Sequence, residues 1–153
     1  MLYPTHLIAT IPIFALSDLS AIPLLIGAAI PDIIDKPLPK LGIVDTYHSL
    51  AHSLLFIFLL TGVGLFYEFV LVVAIGVAYH IAIDVVHVFI NGRASHWKFV
   101  LWPFAFQDDP MRKPPVDFFK YYVGSRSFYV EVVIWVVCIS ILVSVYTNIL
   151  SMF

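Results

Sequence analysis

The chain has 153 residues, of which 61% are hydrophobic, 16% aromatic and only 12% charged, and its formal net charge is −2. Soluble domains are about 45–50% apolar and about 25% charged, so this composition excludes an ordinary soluble domain as well as a disordered chain. The charge balance excludes a basic surface for nucleic acid, and the single cysteine excludes a disulfide framework or a thiolate zinc site.

The N-terminal apolar stretch predicts a hairpin of two short helices, residues 7–17 and 20–31, that turns at Asp18. One continuous helix would also reach across a bilayer, but it would place Asp18 near mid-membrane and contain two interior prolines. We therefore prefer the hairpin, in which Asp18 or Ser20 caps the second helix.

Three later predicted helices are long enough to cross the roughly 30 Å hydrocarbon core of a bilayer. The first two come from one apolar stretch, which reverses near Glu68 to give helices over 48–66 and 69–90. Glu68 favours this reversal, because a carboxylate at the bilayer centre costs about 2.5–3.5 kcal/mol. The last predicted span covers 128–150, and the aromatic loop over 91–127 is expected in the membrane interface.

The predicted fold is an all-α polytopic membrane helical bundle that forms a single domain over residues 1–153. It has three full spans, an N-terminal hairpin of short helices and an interfacial loop. Every Lys and Arg lies in two segments, 32–47 and 91–127, which emerge on the same side of the predicted bundle. The positive-inside rule makes that side cytoplasmic. We expect an inner-membrane protein with its N-terminus inside and its C-terminus outside.

Histidines and aspartates recur at helical spacing in this apolar chain. The predicted helix over 69–90 carries three such residues within about 60° of arc: His80, Asp84 and His87. The predicted helix over 48–66 carries His48 and His52, which lie four residues apart on one face. In the expected topology these side chains lie near the cytoplasmic ends of their helices. Three candidates from the N-terminal segments reach the same end: His6, Asp32 and Asp35.

Imidazoles and carboxylates that converge at one depth predict a divalent metal site, with zinc as the first choice and manganese or iron as alternatives. The predicted ligands are His6, Asp32, His48, His52, His80 and Asp84. Because this set exceeds one tetrahedral shell, either one or two ions are compatible with it. A divalent ion lowers the pKa of bound water toward about 7, and two ions can stabilise an in-line displacement.

The remaining polar residues of this end have predicted roles around the metal. Asp35 or His87 would act as general base. The phosphate of a substrate would be held by four cationic side chains: Arg93, Lys98, Arg112 and Lys113.

Five short segments follow one another in a defined order: Thr5-His6, the segment 27–35 with Pro31-Asp32 and Asp35, His52-Ser53, Tyr79-His80 with Asp84, and Leu101-Trp102-Pro103-Phe104. In this order they resemble the YdjM-type family of predicted membrane-bound metal-dependent hydrolases. The resemblance implies metal-ligand roles for His6, Asp32, His52, His80 and Asp84. The chain departs from the family pattern in the four-residue spacing between His48 and His52. It also departs at His87, which would be a substitute ligand or a partner of a ligand.

We therefore expect a metal-dependent hydrolase that cleaves a phosphoester of a lipid or lipid-linked substrate at the cytoplasmic interface. The alternative is a non-enzymatic metal-binding membrane protein that acts as a carrier, a sensor or a structural subunit. In a structural subunit, the polar side chains would only join helices through hydrogen bonds. The expected partners are membrane lipids and not nucleic acid, and homo-oligomerisation stays open.

Overall fold

The computed structural model describes residues 2–105 and 115–151, apart from the side chains of 115–118 and 149. Within these segments the chain is helical and contains no strand, which confirms the expected all-α class. The α-helices are α1 (Tyr3–Ile8), α2 (Ile11–Leu16), α3 (Ala21–Asp35), α4 (Leu54–Gly64), α5 (Glu68–Ile90), α6 (Pro115–Tyr122) and α7 (Arg126–Leu150). Two 3-10 helices cover Leu50–His52 and Ala94–Leu101.

The N-terminal segment forms two short helices before the turn, where the sequence predicted one over 7–17. Pro12 explains the break, because a proline fits the first turn of α2 but would clash with the carbonyl of Ile8 in a continuous helix. After the turn, α3 runs to Asp35 rather than ending at residue 31, and α1 packs against it. Ser20 occupies the N-cap position of α3, but its side chain makes no capping bond.

The predicted full span over 48–66 is not confirmed, since α4 has 11 residues and is about 16 Å long. The helix begins only at Leu54 because the preceding backbone N–H groups bind elsewhere. Asp35 accepts hydrogen bonds from the backbone of Ser49, Ala51 and His52. Ser53 then caps α4 by accepting a bond from the backbone N–H of Phe56 at 3.2 Å.

Two helices of the described chain are long and apolar enough to cross a membrane: Glu68–Ile90 and Arg126–Asn148. They correspond to the predicted spans over 69–90 and 128–150. Half of the most apolar window of α5 is buried, so α5 is the central helix. Only 11% of the corresponding window of α7 is buried, so α7 exposes apolar side chains such as Val133 and Val136.

Helices α3 and α5 cross at two glycines. A Cβ on Gly27 would overlap the carbonyl oxygen of Val73, and a Cβ on Gly76 would overlap that of Leu24. The two backbones can approach this closely only because neither glycine has a side chain. This crossing brings the C-terminal end of α3 against the second half of α5.

The predicted interfacial loop over 91–127 is partly helical. Its 3-10 helix packs on α4 and α5 and buries Phe99 and Val100. The neighbouring aromatic side chains of Trp97 and Phe104 are exposed. The placement of this segment in the membrane interface stays a prediction.

Candidate metal centre

Four side chains bring one nitrogen or oxygen atom each close to one another between α3, α5 and the 3-10 turn before α4. His52 Nε2 lies 3.5 Å from Asp32 Oδ1 and 3.7 Å from Asp84 Oδ2. His80 Nε2 lies 3.7 Å from Asp32 Oδ1 and 3.4 Å from Asp84 Oδ2. A tetrahedral zinc ion with bonds of 2.0–2.2 Å separates its ligand atoms by about 3.3–3.6 Å. The four distances are close to this spacing, so the four-ligand cage of Asp32, His52, His80 and Asp84 could hold a metal ion.

The imidazole nitrogens of the cage also need a partner that a cation would provide. His52 Nε2 and His80 Nε2 are buried and have no hydrogen-bond partner among the described residues. An unsatisfied buried polar atom costs about 1–3 kcal/mol. His80 Nδ1 lies 2.7 Å from the carbonyl oxygen of Ala28, which can only accept, so Nδ1 carries the proton. The lone pair of His80 Nε2 is thereby directed into the cage.

Asp35 is fully buried behind His52 and outside the cage. Its oxygens accept bonds from the backbone N–H and the hydroxyl of Ser49, both at 2.8 Å, and from the backbone of Ala51. They also bind His52, through its backbone N–H and its ring Nδ1. Burial would raise the pKa of Asp35, but the bonds from His52 and Ser49 outweigh burial and lower this pKa. These bonds occupy both oxygens, so the geometry favours positioning of His52 over the predicted role of general base.

The charge of the centre is set by three carboxylates and one lysine. Lys36 Nζ lies 2.5 Å from Asp32 Oδ2, which leaves Asp32 Oδ1 facing the imidazoles. Burial would raise the pKa of Asp32, but its interactions with the His52 imidazole and with Lys36 outweigh burial and hold this pKa below its usual range. With neutral imidazoles, Asp32, Asp35, Asp84 and Lys36 leave two negative charges. One divalent cation would neutralise them.

The other two predicted ligands, His6 and His48, lie at the edges of the cage. His6 Nε2 is 3.3 Å from Asp84 Oδ1, and the His6 ring stacks on that of His80 with centroids 3.7 Å apart. His48 Nε2 is 3.8 Å from Asp84 Oδ2, and a third of the His48 side chain is exposed. The ring of Phe99 packs against His48. The six predicted ligands thus fall into three overlapping groups of three, each of which could hold a metal ion.

His48 and His52 meet for a different reason from the one predicted. They do not share a face of an α-helix, because His48 precedes the 3-10 turn that contains His52. The chain instead wraps around the Asp35 carboxylate, which leaves the two rings edge to face with centroids 4.7 Å apart.

The predicted base and phosphate-binding residues are less closely tied to the cage. His87 is half-buried on α5, three residues after Asp84, and is not a member of the ligand groups. Arg93 immediately precedes the 3-10 helix that carries Phe99, and Lys98 lies within this helix. The Lys98 side chain is exposed. Two further predicted residues, Arg112 and Lys113, lie outside the described residues.

A second polar network, which the sequence did not predict, fixes the chain beside His6. Glu131 of α7 is buried and accepts bonds from the backbone of Leu2 at 3.0 Å and from the Thr5 hydroxyl at 2.5 Å. Trp135 Nε1 donates to the same hydroxyl at 2.9 Å. No sequence pattern joins positions so far apart. Lys36, by contrast, could have been found, since it follows Asp32 at the spacing of a helical ion pair.

No family model, no curated protein and no solved structure matches this chain. The resemblance to the YdjM-type family therefore stays a prediction.

Proposed function

We propose that this protein is a membrane-embedded, metal-dependent hydrolase that cleaves a phosphoester of a lipid or lipid-linked substrate. The four-ligand cage carries the proposal: two buried imidazole nitrogens, which have no hydrogen-bond partner among the described residues, face two carboxylate oxygens at 3.4–3.7 Å. Zinc suits this mixed donor set best, and manganese or ferrous iron are alternatives. When bound, such an ion activates water and neutralises the charge of a phosphoester.

The membrane part of the proposal is supported by the two long apolar helices. The cage lies in the second half of α5, and Asp84 is six residues, or about 9 Å, from the end of that helix. Lys36 and Arg93 follow the ends of α3 and α5, and the positive-inside rule assigns such ends to the cytoplasm. A centre at this depth would lie near the phosphates of the inner leaflet.

The alternatives make different demands on the same side chains. In a structural subunit, polar groups join helices by bonding to one another. That role does not account for His52 Nε2 and His80 Nε2, which form no hydrogen bond within the described part of the chain. A carrier has to release its ion, whereas Asp35 fixes His52 through its ring and its backbone. A rigid, deeply buried cage is better suited to an ion that remains bound during catalysis.

The chain's own residues have distinct roles in this proposal. Asp32, His52, His80 and Asp84 hold the ion, and Asp35 orients His52. His87 keeps its predicted role as general base, because both oxygens of Asp35 are already bound. Arg93 and Lys98 supply positive charge for the phosphate from the 3-10 helix that packs beside His48.

The test combines metal analysis with turnover of a defined lipid. The protein is purified in detergent and assayed for bound zinc and for phosphate release from vesicles that contain phosphatidic acid or a polyprenyl phosphate. We expect stoichiometric zinc and turnover in the wild type and in the control His96→Ala. His80→Ala and Asp84→Asn should lose both. Unchanged turnover in these two variants, or bound zinc with no turnover of either lipid, would reject the hydrolase.

A further inference from the structure

We infer a second cation position beside the cage, held by His6 Nε2 and Asp84 Oδ1, so that the Asp84 carboxylate bridges two ions. This inference rests on the proposed function and adds to it a site for the anionic group of the substrate. The second ion would have only two ligands from the protein. Its other coordination positions would be open to water and to a phosphate oxygen.

The two oxygens of Asp84 face different imidazoles. Asp84 Oδ2 points into the cage, where His80 Nε2 is 3.4 Å away, whereas Oδ1 lies 3.3 Å from His6 Nε2. His80 is already directed at the cage, so the pair formed by His6 and Oδ1 is not needed for the first ion. A carboxylate that offers one oxygen to each of two cations is the arrangement used by two-metal hydrolases.

Burial of the polar His6 ring costs free energy, and a simple packing role does not explain why the ring is buried here. Only 1% of its surface is exposed, and its Nε2 lies 3.3 Å from Asp84 Oδ1. Its ring is parallel to that of His80, with 11° between the ring planes. Such a pair is stabilised when each ring binds a cation as a neutral ligand.

The segment that carries His6 is anchored by hydrogen bonds to α7. Helix α1 has six residues, which is too short for independent stability. Glu131 and Trp135 of α7 bind the backbone of Leu2 and the hydroxyl of Thr5, the residue before His6. A buried carboxylate in an apolar helix is costly. Here it fixes the position of His6 relative to Asp84.

Charge gives the second ion a function. One divalent ion would neutralise the two negative charges of the centre, and a second would make it positive by two charges. A phosphomonoester carries up to two negative charges at neutral pH. The doubly occupied centre would therefore attract a phosphate dianion, whereas the singly occupied centre would not.

The decisive measurement counts ions without using activity. Purified protein is loaded with Mn²⁺ and analysed for metal content and by electron paramagnetic resonance. We expect two ions per chain in the wild type and in His96→Ala, with the exchange-coupled spectrum of bridged ions. His6→Ala should bind one ion and give the six-line spectrum of isolated Mn²⁺. Inorganic phosphate should tighten the second ion at least tenfold in the wild type and have no such effect in His6→Ala.

A second variant covers the case in which His6→Ala does not fold. Glu131→Gln leaves both metal positions intact but weakens the anchor of α1, and should weaken the second ion by about 10–100-fold with little effect on the first. One ion per chain in both the wild type and His6→Ala would overturn the second position and leave the proposed function standing. No bound ion in the wild type would overturn the proposed function as well.

Discussion

The carboxylate of Asp35 holds His52 at two points, since Oδ2 lies 2.8 Å from the ring Nδ1 and 3.1 Å from the backbone nitrogen. The two bonds fix both the position of the residue and the orientation of its ring. They also direct His52 Nε2 into the cage, 3.5 Å from Asp32. Carboxylates that orient a metal-bound imidazole in this way raise its basicity and its affinity for the ion.

Replacement of Asp35 should therefore weaken metal binding although the residue does not face the cage. Asp35→Asn keeps the size of the side chain but removes its charge, and we expect zinc affinity to fall about 10–100-fold. Competition with a chromophoric chelator measures this affinity. Asp18→Asn, at an exposed turn, is the control and should bind zinc like the wild type. Equal affinities in both variants would mean that Asp35 has only a structural role.

The part of the centre on α5 could be predicted from the sequence because helical periodicity is a local property. His80 and Asp84 are four residues apart on one helix, and they share a face as expected. The pairing of His48 with His52 was expected from the same rule, but it arises from a loop around Asp35. Such a loop depends on a carboxylate that is distant in the sequence, so local spacing does not reveal it.

Other features of the centre could be recognised only from the three-dimensional packing of the helices. The depth at which Asp32 meets His80 is set by the crossing at Gly27 and Gly76, and nothing in the sequence pairs these two glycines. The anchor of His6 joins Thr5 to a glutamate 126 positions away. The third full span was predicted from apolar composition alone. That composition gives no information about the backbone hydrogen bonds to Asp35, because of which α4 begins only at Leu54.

The glycine crossing provides a prediction on stability and on metal binding together. Gly76→Ala would place a methyl group against the carbonyl of Leu24, which should destabilise the fold by about 1–3 kcal/mol and move Asp32 away from His80. We expect a lower melting temperature and at least tenfold weaker zinc binding. Gly62→Ala is the matched control, because its Cβ would meet nothing within 4 Å and alanine is the better helix former. If the two variants behave alike, the crossing does not position the cage.

The pH dependence of stability should differ with and without metal. Burial would lower the pKa of His52, but the neighbouring carboxylates of Asp32 and Asp35 outweigh burial and raise this pKa above its usual value. A raised pKa stabilises the folded state below about pH 6.5, and this contribution is lost as the pH rises through the folded-state value. The melting temperature of the metal-free protein should therefore fall as the pH rises above about 6.5. When zinc is bound in place of this proton, the melting temperature should stay level or rise as the pH rises. Parallel pH profiles in the two forms would show that His52 does not bind the ion.

The anchor between α1 and α7 can be tested by removing a single hydroxyl. Thr5→Val keeps the shape of the side chain, but it leaves Glu131 and Trp135 without their shared partner. Loss of a bond to a buried charged group should cost about 1.5–3 kcal/mol, measured by thermal unfolding in detergent. Thr147→Val, on an exposed part of α7, should change stability by less than about 0.5 kcal/mol. In Thr5→Val the first Mn²⁺ should bind normally and the second more weakly. Loss of both ions in this folded variant would mean that α1 supports the whole centre rather than His6 alone.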